Sequence, residues 1–571
     1  MKRVRSLAPL LALTCLCTSA AADDLRDALR DYRRSISRPA LYLRVKAIEA
    51  LAKTRDPKAL KQLVRRYKRP EPPEQHVRYL VAGVSAESFT GDEHGEAWAT
   101  WLDKEDARED AWLWYLGQRV RARHAGSAPL LEAIASAKLD PFLRAASLHA
   151  LARTESVEAT LKAISSLLAE GGPEVKKKDE LGRAVLVEAC AAALSRCGRK
   201  RGTPEFSQAI ERVIDQLERD DLLPRTPWVI GRRLATTLGV EELYTSADAW
   251  RKLLAVKQAN QAAEGTPGRT RLRSVSLGPG RSVPRFFGIE GTGSRVAFLI
   301  DCSDSMLKPL TEEEKEEIKR RPVTGSARRH DKGGKPQADP PAQPRDQPEQ
   351  DELSKKLPWE RIHSRFDAAR EALKLSLQAL GPKMQYVVIT FGQYAELLGQ
   401  GLAEASPRNV KLTLRKLDAI QAKRGGPDRP HGTLMGYTNL HGALLDAFQV
   451  TERGQLDELE HLAERGFSEG IETIYVLSDG APSWDDFEAV DRNDQDLSSG
   501  DPETGKAGGK SPTLNYYGPY VFVNHLLRDV IRLNLFRQAE IHCIGIGEAN
   551  PRLLQVMSDV GLGQFRSISS P

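Results

Sequence analysis

The chain has 571 residues, with 84 lysines and arginines against 78 aspartates and glutamates and a formal net charge of +6. This length exceeds what a single hydrophobic core can fill, so we expect at least two domains. The small basic excess is not gathered into a recognisable basic module, which argues against a nucleic-acid-binding protein.

Residues 1–22 have the pattern of a secretory signal peptide. Basic residues at positions 2, 3 and 5 precede an apolar run over 7–17, and alanines at 20–22 offer the small side chains that a signal peptidase needs. Cys15 would allow lipidation instead, although Ala12-Leu13-Thr14 fits a lipoprotein cleavage box poorly. No later stretch is apolar over the thickness of a bilayer. We therefore expect an exported protein, in a periplasm, on a cell surface or outside the cell.

Residues 24–260 show a helical and repetitive pattern. Segments 43–54 and 143–154 both place apolar residues at helical spacing, and each is followed by a break and a second helix. In solenoids, repeated helical hairpins stack so that each buries the apolar face of its neighbour, which one hairpin cannot bury alone. The region resembles HEAT-type repeats, and the alternative is an irregular helical bundle. We expect its most prominent aromatic side chains to anchor the core: Trp98, Trp101 and Trp250.

Residues 261–294 form a predicted linker, because glycine and proline recur through them and leave no room for a long regular element. Five arginines between positions 269 and 285 are expected to be solvated there rather than to bind nucleic acid. Gly291-Thr292-Gly293 precedes the next strand instead of following it, which argues against a phosphate-binding loop.

An unbroken apolar run over residues 296–300 predicts a strand buried on both faces of a parallel sheet. Asp301, Ser303 and Ser305 follow in a D-x-S-x-S pattern, at the strand end where open α/β sheets place their ligand sites. Carboxylate and hydroxyl oxygens are the ligands that magnesium and similar cations prefer. A polar turn that caps a helix would also fit this pattern.

The remainder of the chain alternates strands with helices and contains two polar insertions, at 309–358 and 485–512. The first has the composition of a disordered segment, and the second has little to bury. The alternation predicts a mostly parallel sheet covered by helices on both faces. Apolar periodicity predicts helices at 361–380, 410–420, 440–448, 520–535 and 553–560, and strands at 386–391, 395–398, 471–478, 541–547 and 565–568.

Thr438 stands on a loop just before one of these helices, and Asp479 follows one of the buried strands. With D-x-S-x-S, a distant Thr and a more distant Asp, residues 295–571 resemble the von Willebrand factor type A (VWA) family. The resemblance implies a Rossmann-like α/β fold with a metal-ion-dependent adhesion site (MIDAS). It implies Mg²⁺, or Mn²⁺ or Ca²⁺ in its place, bound by five ligands: Asp301, Ser303, Ser305, Thr438 and Asp479.

Three neighbouring residues are candidates for tuning this site from outside the ligand set: Asp304, Asn439 and Gly480. Asp304 departs from the family pattern, which often has Gly at that position. A third carboxylate would either raise the metal affinity, while weakening the pull of the cation on an acidic ligand, or point into solvent.

The resemblance implies metal-dependent capture of a partner protein, whose Asp or Glu carboxylate completes the metal shell. In one alternative the helical repeats bind the partner and the VWA domain is structural. In another the protein is a metal-dependent hydrolase, with Asp304 or His441 as the base. We expect no enzyme, because the sequence has no zinc-protease, nucleophile-elbow or phosphate-loop motif. The two insertions would surround the metal-bearing face of the domain. They would either determine binding specificity or be additions without a function.

Four cysteines follow the predicted signal peptide: Cys190, Cys197, Cys302 and Cys543. The first two are separated by roughly 10 Å along a helix, which is too far for a disulfide. We expect buried thiols and no zinc site.

Overall fold

The computed structural model describes residues 24–36, 41–67, 75–91, 94–95, 97–98, 110–169, 179–240, 243–263, 283–320, 357–392, 395–424, 433–434, 438–456, 464–479, 482 and 523–568. The predicted signal peptide, the second polar insertion and residues 321–356 of the first lie outside these ranges, as do Trp101 and Gly480. Within the described ranges, contacts divide the chain into two compact units: one comprises the residues up to 163, and the other begins at 164 and contains the central sheet.

The N-terminal region is helical, as the sequence predicts. None of the helices in the described ranges combines the length and the apolar character needed to cross a membrane. The helices before the sheet are α1 (24–35), α2 (Leu41–Lys53), α3 (Pro57–Tyr67), α4 (Gln75–Ser88), α5 (Ala111–Ala125), α6 (Ala128–Ala135), α7 (Pro141–Leu151), α8 (Val157–Leu167), α9 (Glu180–Leu194), α10 (Pro204–Asp215), α11 (Thr226–Leu238) and α12 (Ala247–Ala263).

The two segments that the sequence pairs have the same hydrogen bond in the turn between their helices. Helix α2 leads into α3 and α7 leads into α8. In the first turn the Thr54 hydroxyl donates to the Leu51 carbonyl at 2.8 Å, and in the second Thr154 donates to Leu151 at 2.7 Å. These matched turns agree with the HEAT hypothesis, but two hairpins do not define a repeat register. The repeats therefore stay a prediction.

Strands and further helices alternate after residue 283. The strands are β1 (Arg285–Phe286), β2 (Ile289–Glu290), β3 (Arg295–Asp301), β4 (Gln385–Phe391), β5 (Ala395–Leu397), β6 (Ala403–Glu404), β7 (Gln421–Arg424), β8 (Thr433–Leu434), β9 (Val450–Thr451), β10 (Gly454–Gln455), β11 (Thr473–Ser478), β12 (Glu540–Ile546) and β13 (Phe565–Ile568). The helices are α13 (Glu312–Arg320), α14 (Arg365–Gln378), α15 (Pro407–Ala419), α16 (Leu440–Gln449), α17 (Glu464–Glu469), α18 (Val523–Leu533) and α19 (Pro551–Gly561).

The central sheet has the strand order β13-β12-β11-β3-β4-β5, and β6 also pairs with β4. The five strands from β13 to β4 are parallel, whereas β5 and β6 run antiparallel to β4. A helical N-terminal region followed by an α/β domain with a mostly parallel sheet is the predicted fold class, which is thereby confirmed.

Alternate residues of β3 serve two separate hydrophobic cores, one on each face of the sheet. Phe298 packs in a cluster with residues of α14 and α15, such as Leu373 and Leu417. Leu299 packs in the other cluster with α16, α18 and α19, whose members include Leu444 and Val530. Because side chains alternate along a strand, this two-sided burial explains why the sequence of β3 is a continuous apolar run.

The first polar insertion is partly ordered into regular structure, contrary to what its composition predicts. Its residues 312–320 form helix α13, and α14 begins only at Arg365 rather than near residue 361. The ends of the insertion meet: Arg365 N donates to Lys308 O at 3.1 Å, and Pro309 bridges Ser364. The insertion therefore leaves the fold and returns to it at one point, next to the end of β3.

Two smaller predictions are confirmed. Cys190, Cys197, Cys302 and Cys543 are buried free thiols. Trp98 and Trp250 are fully buried, and their indole N–H groups donate to backbone carbonyls of Phe89 and Tyr244.

Candidate metal centre

The candidate centre lies at the carboxyl end of two neighbouring parallel strands. Leu477 of β11 is the register partner of Ile300 of β3. Asp301 is the last residue of β3 and Asp479 directly follows β11, so both lie at the same edge of the sheet. The two strand ends are far apart in the sequence: 177 positions separate Asp301 from Ser478, the last residue of β11. Both carboxylates are buried.

Hydrogen bonds join four of the five predicted ligands. Asp301 Oδ1 accepts from the Ser303 N–H at 2.8 Å, and the hydroxyls of Ser303 and Ser305 are 2.9 Å apart. The Ser305 hydroxyl donates to Asp479 Oδ1 at 2.6 Å. Ser478, which sequence reasoning missed, donates to Asp301 Oδ2 at 2.6 Å. The D-x-S-x-S turn and the end of β11 thus form one polar cluster.

The fifth predicted ligand, Thr438, is buried at the same end of the sheet. The N–H of the next residue, Asn439, donates to the Gly392 carbonyl at 2.6 Å. Gly392 directly follows Phe391, the register partner of Asp301. The structure therefore brings the loop of Thr438 to the edge that carries the other four residues.

The other candidates have mainly structural surroundings. Asn439 Oδ1 accepts from the Gly442 N–H at 2.8 Å and caps α16. Asp304 begins a short 3-10 turn and is partly buried, so it does not extend freely into solvent. His441, the alternative base, is buried with its Nε2 2.9 Å from Asp529 Oδ2.

Electrostatics at the centre are unfavourable for two ionised carboxylates. Burial, together with the neighbouring charge of Asp479, raises the pKa of Asp301 to about 7. Burial also raises the pKa of Asp479, although hydrogen bonds from Ser305 and Arg365 act in the opposite direction. The two aspartates therefore form a buried pair that favours a positive charge nearby.

A buried arginine, absent from the sequence prediction, partly supplies that charge. Arg365 Nη1 donates to Asp479 Oδ2 at 3.2 Å, and its Nη2 donates to Glu314 Oε1 at 3.1 Å. The Arg365 side chain is 7% exposed and that of Glu314 is 2% exposed. Because 114 positions separate Arg365 from Asp479, no local sequence pattern could have revealed the pair.

The donor set fits a hard divalent cation. Two carboxylates and two hydroxyls offer oxygens only, and a cation would relieve the repulsion between the buried aspartates. Within the described ranges, no three His, Cys, Asp or Glu side chains gather into a metal site of their own. A cation at this centre would therefore depend on hydroxyl ligands as well as on carboxylates.

Residues 360–459 match the family of the von Willebrand factor type A domain. Together with the mostly parallel sheet and its flanking helices, this match shows that the chain contains a VWA domain. Of the five predicted ligands the matched range includes only Thr438, so the family match does not itself assign the metal site.

The solved structures that are weakly similar to the chain include two of one minor pilin. The PilB minor pilin from Streptococcus sanguinis is 14% identical with a TM-score of 0.26, and a point mutant of the same pilin is 14% identical with a TM-score of 0.27. Each match covers 51% of this chain and 59% of the pilin. The chain thus spans less than two thirds of the pilin, and a likeness this weak says nothing about function. No curated protein matches the sequence.

Proposed function

We propose that this chain is an exported protein that binds a partner protein through a divalent cation, held by Asp301, Ser303, Ser305, Thr438 and Asp479. The observation that carries the proposal is the continuous chain of hydrogen bonds from Asp301 through both serines to Asp479. It lies at the edge of the sheet where open α/β folds bind their ligands. Mg²⁺ is the proposed cation, with Mn²⁺ and Ca²⁺ as substitutes.

The carboxylates and the hydroxyls would contribute differently to cation binding. Asp301 and Asp479 supply two negative charges, and the serine and threonine hydroxyls supply neutral oxygens. When bound, the cation keeps residual charge and a coordination position that an Asp or Glu carboxylate of the partner can take in place of water. The Ser478 hydroxyl donates to Asp301 Oδ2, and the Ser305 hydroxyl donates to Asp479 Oδ1.

The surroundings of the centre favour binding over hydrolysis. A hydrolase would need a positioned base near the cation. His441 is instead engaged with Asp529, and burial of Asp529 is outweighed by Arg532 and His441, which hold its pKa far below the ordinary range. Because the His441 side chain is buried and its Nε2 faces Asp529, we propose no catalytic step through it.

The proposal is tested by Mg²⁺ titration calorimetry and by capture of partners from the native envelope fraction, with Mg²⁺ or with chelator. Asp301→Asn and Asp479→Asn are expected to abolish the calorimetric signal and to lower the captured amount at least about tenfold, since each removes a charged ligand. Asp418→Asn is the matched control, because Asp418 is an exposed carboxylate paired with Lys374 in the same domain.

Capture that survives both substitutions and chelator would contradict the proposal. If deletion of residues 24–155, which keeps α9 to α11 and their contacts with the sheet, then abolished capture, the first helices would be the binding element and the VWA domain a structural one. Turnover of an ester or phosphate that depends on Asp304 would instead favour the hydrolase.

A further inference from the structure

The Arg365 guanidinium occupies a pocket that the fold builds beside the candidate metal centre. It lies between Asp479 at the end of β11 and Glu314 on helix α13 of the first insertion. The third wall is the backbone of Gly547, just after β12, where φ is +67°. A Cβ at that position would overlap the guanidinium carbon of Arg365, so the glycine leaves room for this side chain.

The insertion itself fixes this arrangement. Its two ends are joined where Arg365 N donates to Lys308 O at 3.1 Å and Leu310 N donates to His363 O at 3.4 Å. Just before helix α13, the Thr311 N–H donates to Glu314 Oε2 at 2.8 Å, and Glu314 Oε1 accepts from Arg365. Glu314 therefore has both oxygens engaged and is held in place.

Both oxygens of Asp479 are also engaged, one by Ser305 and the other by Arg365. Asp301, Asp479 and Glu314 together carry three negative charges when ionised, and Arg365 carries one positive charge. A divalent cation would make this group of four side chains neutral. Arg365 already supplies a third of the charge that the carboxylates require.

We propose that Arg365 is a built-in counter-ion that lowers the affinity of the centre for its divalent cation, and that Glu314 of the insertion moderates this effect. The inference rests on the proposed function, because it concerns the same cation. The guanidinium neutralises Asp479 from the side away from Ser305, so the aspartate attracts a cation less strongly. Glu314 offsets part of the arginine charge, so the insertion sets the affinity of the site.

Charge substitutions at these two residues should change metal affinity in opposite directions. The double variant Glu314→Gln/Arg365→Gln keeps two side chains that can hydrogen-bond and removes both charges. It is expected to bind Mn²⁺ or Mg²⁺ about tenfold more tightly, since a cation is repelled less. Glu314→Gln alone leaves the arginine charge uncompensated and is expected to bind several-fold more weakly. Titration calorimetry of the full chain measures both affinities.

Arg370→Gln is the matched control, because Arg370 lies on the same helix and pairs with Asp367 and Glu371 instead. Its metal affinity is expected to stay within about twofold of wild type. Thermal unfolding with and without Mn²⁺ provides a second measurement. The shift in Tm on adding Mn²⁺ should be largest for the double variant and smallest for Glu314→Gln.

A purely structural role for Arg365 predicts a different result, since damage to the pocket would weaken binding in both variants. Weaker binding by the folded double variant would therefore overturn the inference, as would unchanged binding by Glu314→Gln if the double variant failed to fold. Wild type and variants that all fail to bind the cation would refute the proposed metal site as well. Binding by the double variant but not by wild type would support the counter-ion role in its strongest form.

Discussion

The two ends of the central sheet both bury charged side chains, but they balance those charges differently. At the carboxyl end, the buried Arg365 pairs with Asp479 and Glu314, and Asp301 lies close to Asp479. At the amino end, three arginines pair with glutamates: Arg225 with Glu188, Arg295 with Glu472 and Arg232 with Glu540. A fourth arginine, Arg537, is fully buried beside them. In these two groups, the arginines at the amino end have glutamate partners close by, whereas the carboxylates at the carboxyl end outnumber their arginine.

The amino end joins the last helices of the N-terminal region to the VWA domain. Arg225, just before α11, donates to Glu188 of α9 at 3.1 Å and also to the backbone carbonyls of Phe467 and Arg537. Arg232 of α11 donates to the Gln538 carbonyl at 2.7 Å. These contacts lie within the unit that begins at residue 164, so α9 to α11 are held against the start of the sheet.

The pKa values of the two ends reflect this difference. Burial alone would raise the pKa of Glu472, but Arg295 and Arg225 outweigh it and the pKa falls below its ordinary value. At Asp301 burial is reinforced by a second carboxylate, and the pKa rises to about 7. Buried ion pairs at the amino end favour the ionised form of their glutamates. At the carboxyl end, the neighbouring carboxylates have raised pKa values, so their protonation depends on whether a cation is bound.

The largest effect is expected from breaking the amino-end junction. Arg225→Ala leaves the fully buried Glu188 without its ion pair and removes donors from two carbonyls. We expect a loss of about 3–5 kcal/mol in the free energy of unfolding, measured by denaturant titration. Burial raises the pKa of Glu188 in spite of Arg225, so protonation of Glu188 should reduce this loss at acidic pH.

The comparison for that variant is Arg251→Ala, which removes a surface arginine bonded to Asp215 at 2.8 Å. Exposed ion pairs contribute little, so its loss should be much smaller. Equal losses in the two variants would mean that the junction contributes no more than a surface pair.

An intermediate effect is expected from pH, with opposite signs at the two ends. The depressed pKa of Glu472 contributes stability that is present above pH 4.5 and is lost as the pH falls below it. The raised pKa of Asp301 contributes stability that is full below pH 3.8 and is lost as the pH rises to about 7. Without metal, we expect the second effect to be about 2–3 kcal/mol in unfolding experiments between pH 5 and 8.

Substitutions at the two ends of the sheet should distinguish the two pH-dependent losses of stability. Asp301→Asn, or an excess of Mg²⁺ with the wild-type chain, should remove the loss at higher pH and leave the acid loss intact. Glu472→Gln should reduce only the acid loss. A stability loss between pH 5 and 8 that persists in Asp301→Asn would assign it to another group.

The smallest effect is expected at Gly547, which frames the Arg365 pocket. Gly547→Ala should cost about 1–2 kcal/mol, because the new Cβ would overlap the Arg365 guanidinium and φ is +67°. Gly239→Ala is the control, with a similar φ of +65° but its nearest atom, Arg201 Nη1, at 3.9 Å. Displacing Arg365 from Asp479 should also tighten Mg²⁺ binding, whereas the control should leave it unchanged. Equal costs and equal affinities in the two variants would mean that Gly547 is needed only for its backbone conformation.

Much of the fold follows from local sequence patterns. The apolar run before Asp301, the helical spacing of Leu373 and Leu377 and the final strand at 565–568 each fix an element within a few residues, because periodic burial is visible in the sequence itself. Helix α13 was not predicted, since a run of Glu and Lys has little apolar periodicity. Glu314 of this helix pairs with Arg365, which is 51 positions away.

The alternation of helices and strands, the helical N-terminal region and the position of D-x-S-x-S at a strand end can all be predicted from local sequence patterns. The side chains that surround the two aspartates cannot, because they come from distant parts of the chain. Ser478, Arg365 and Glu314 meet Asp301 and Asp479 through strand register and the closure of an insertion. The partner of a buried charge is set by which residues are close in the folded chain, and the residues next to it in the sequence do not indicate that partner.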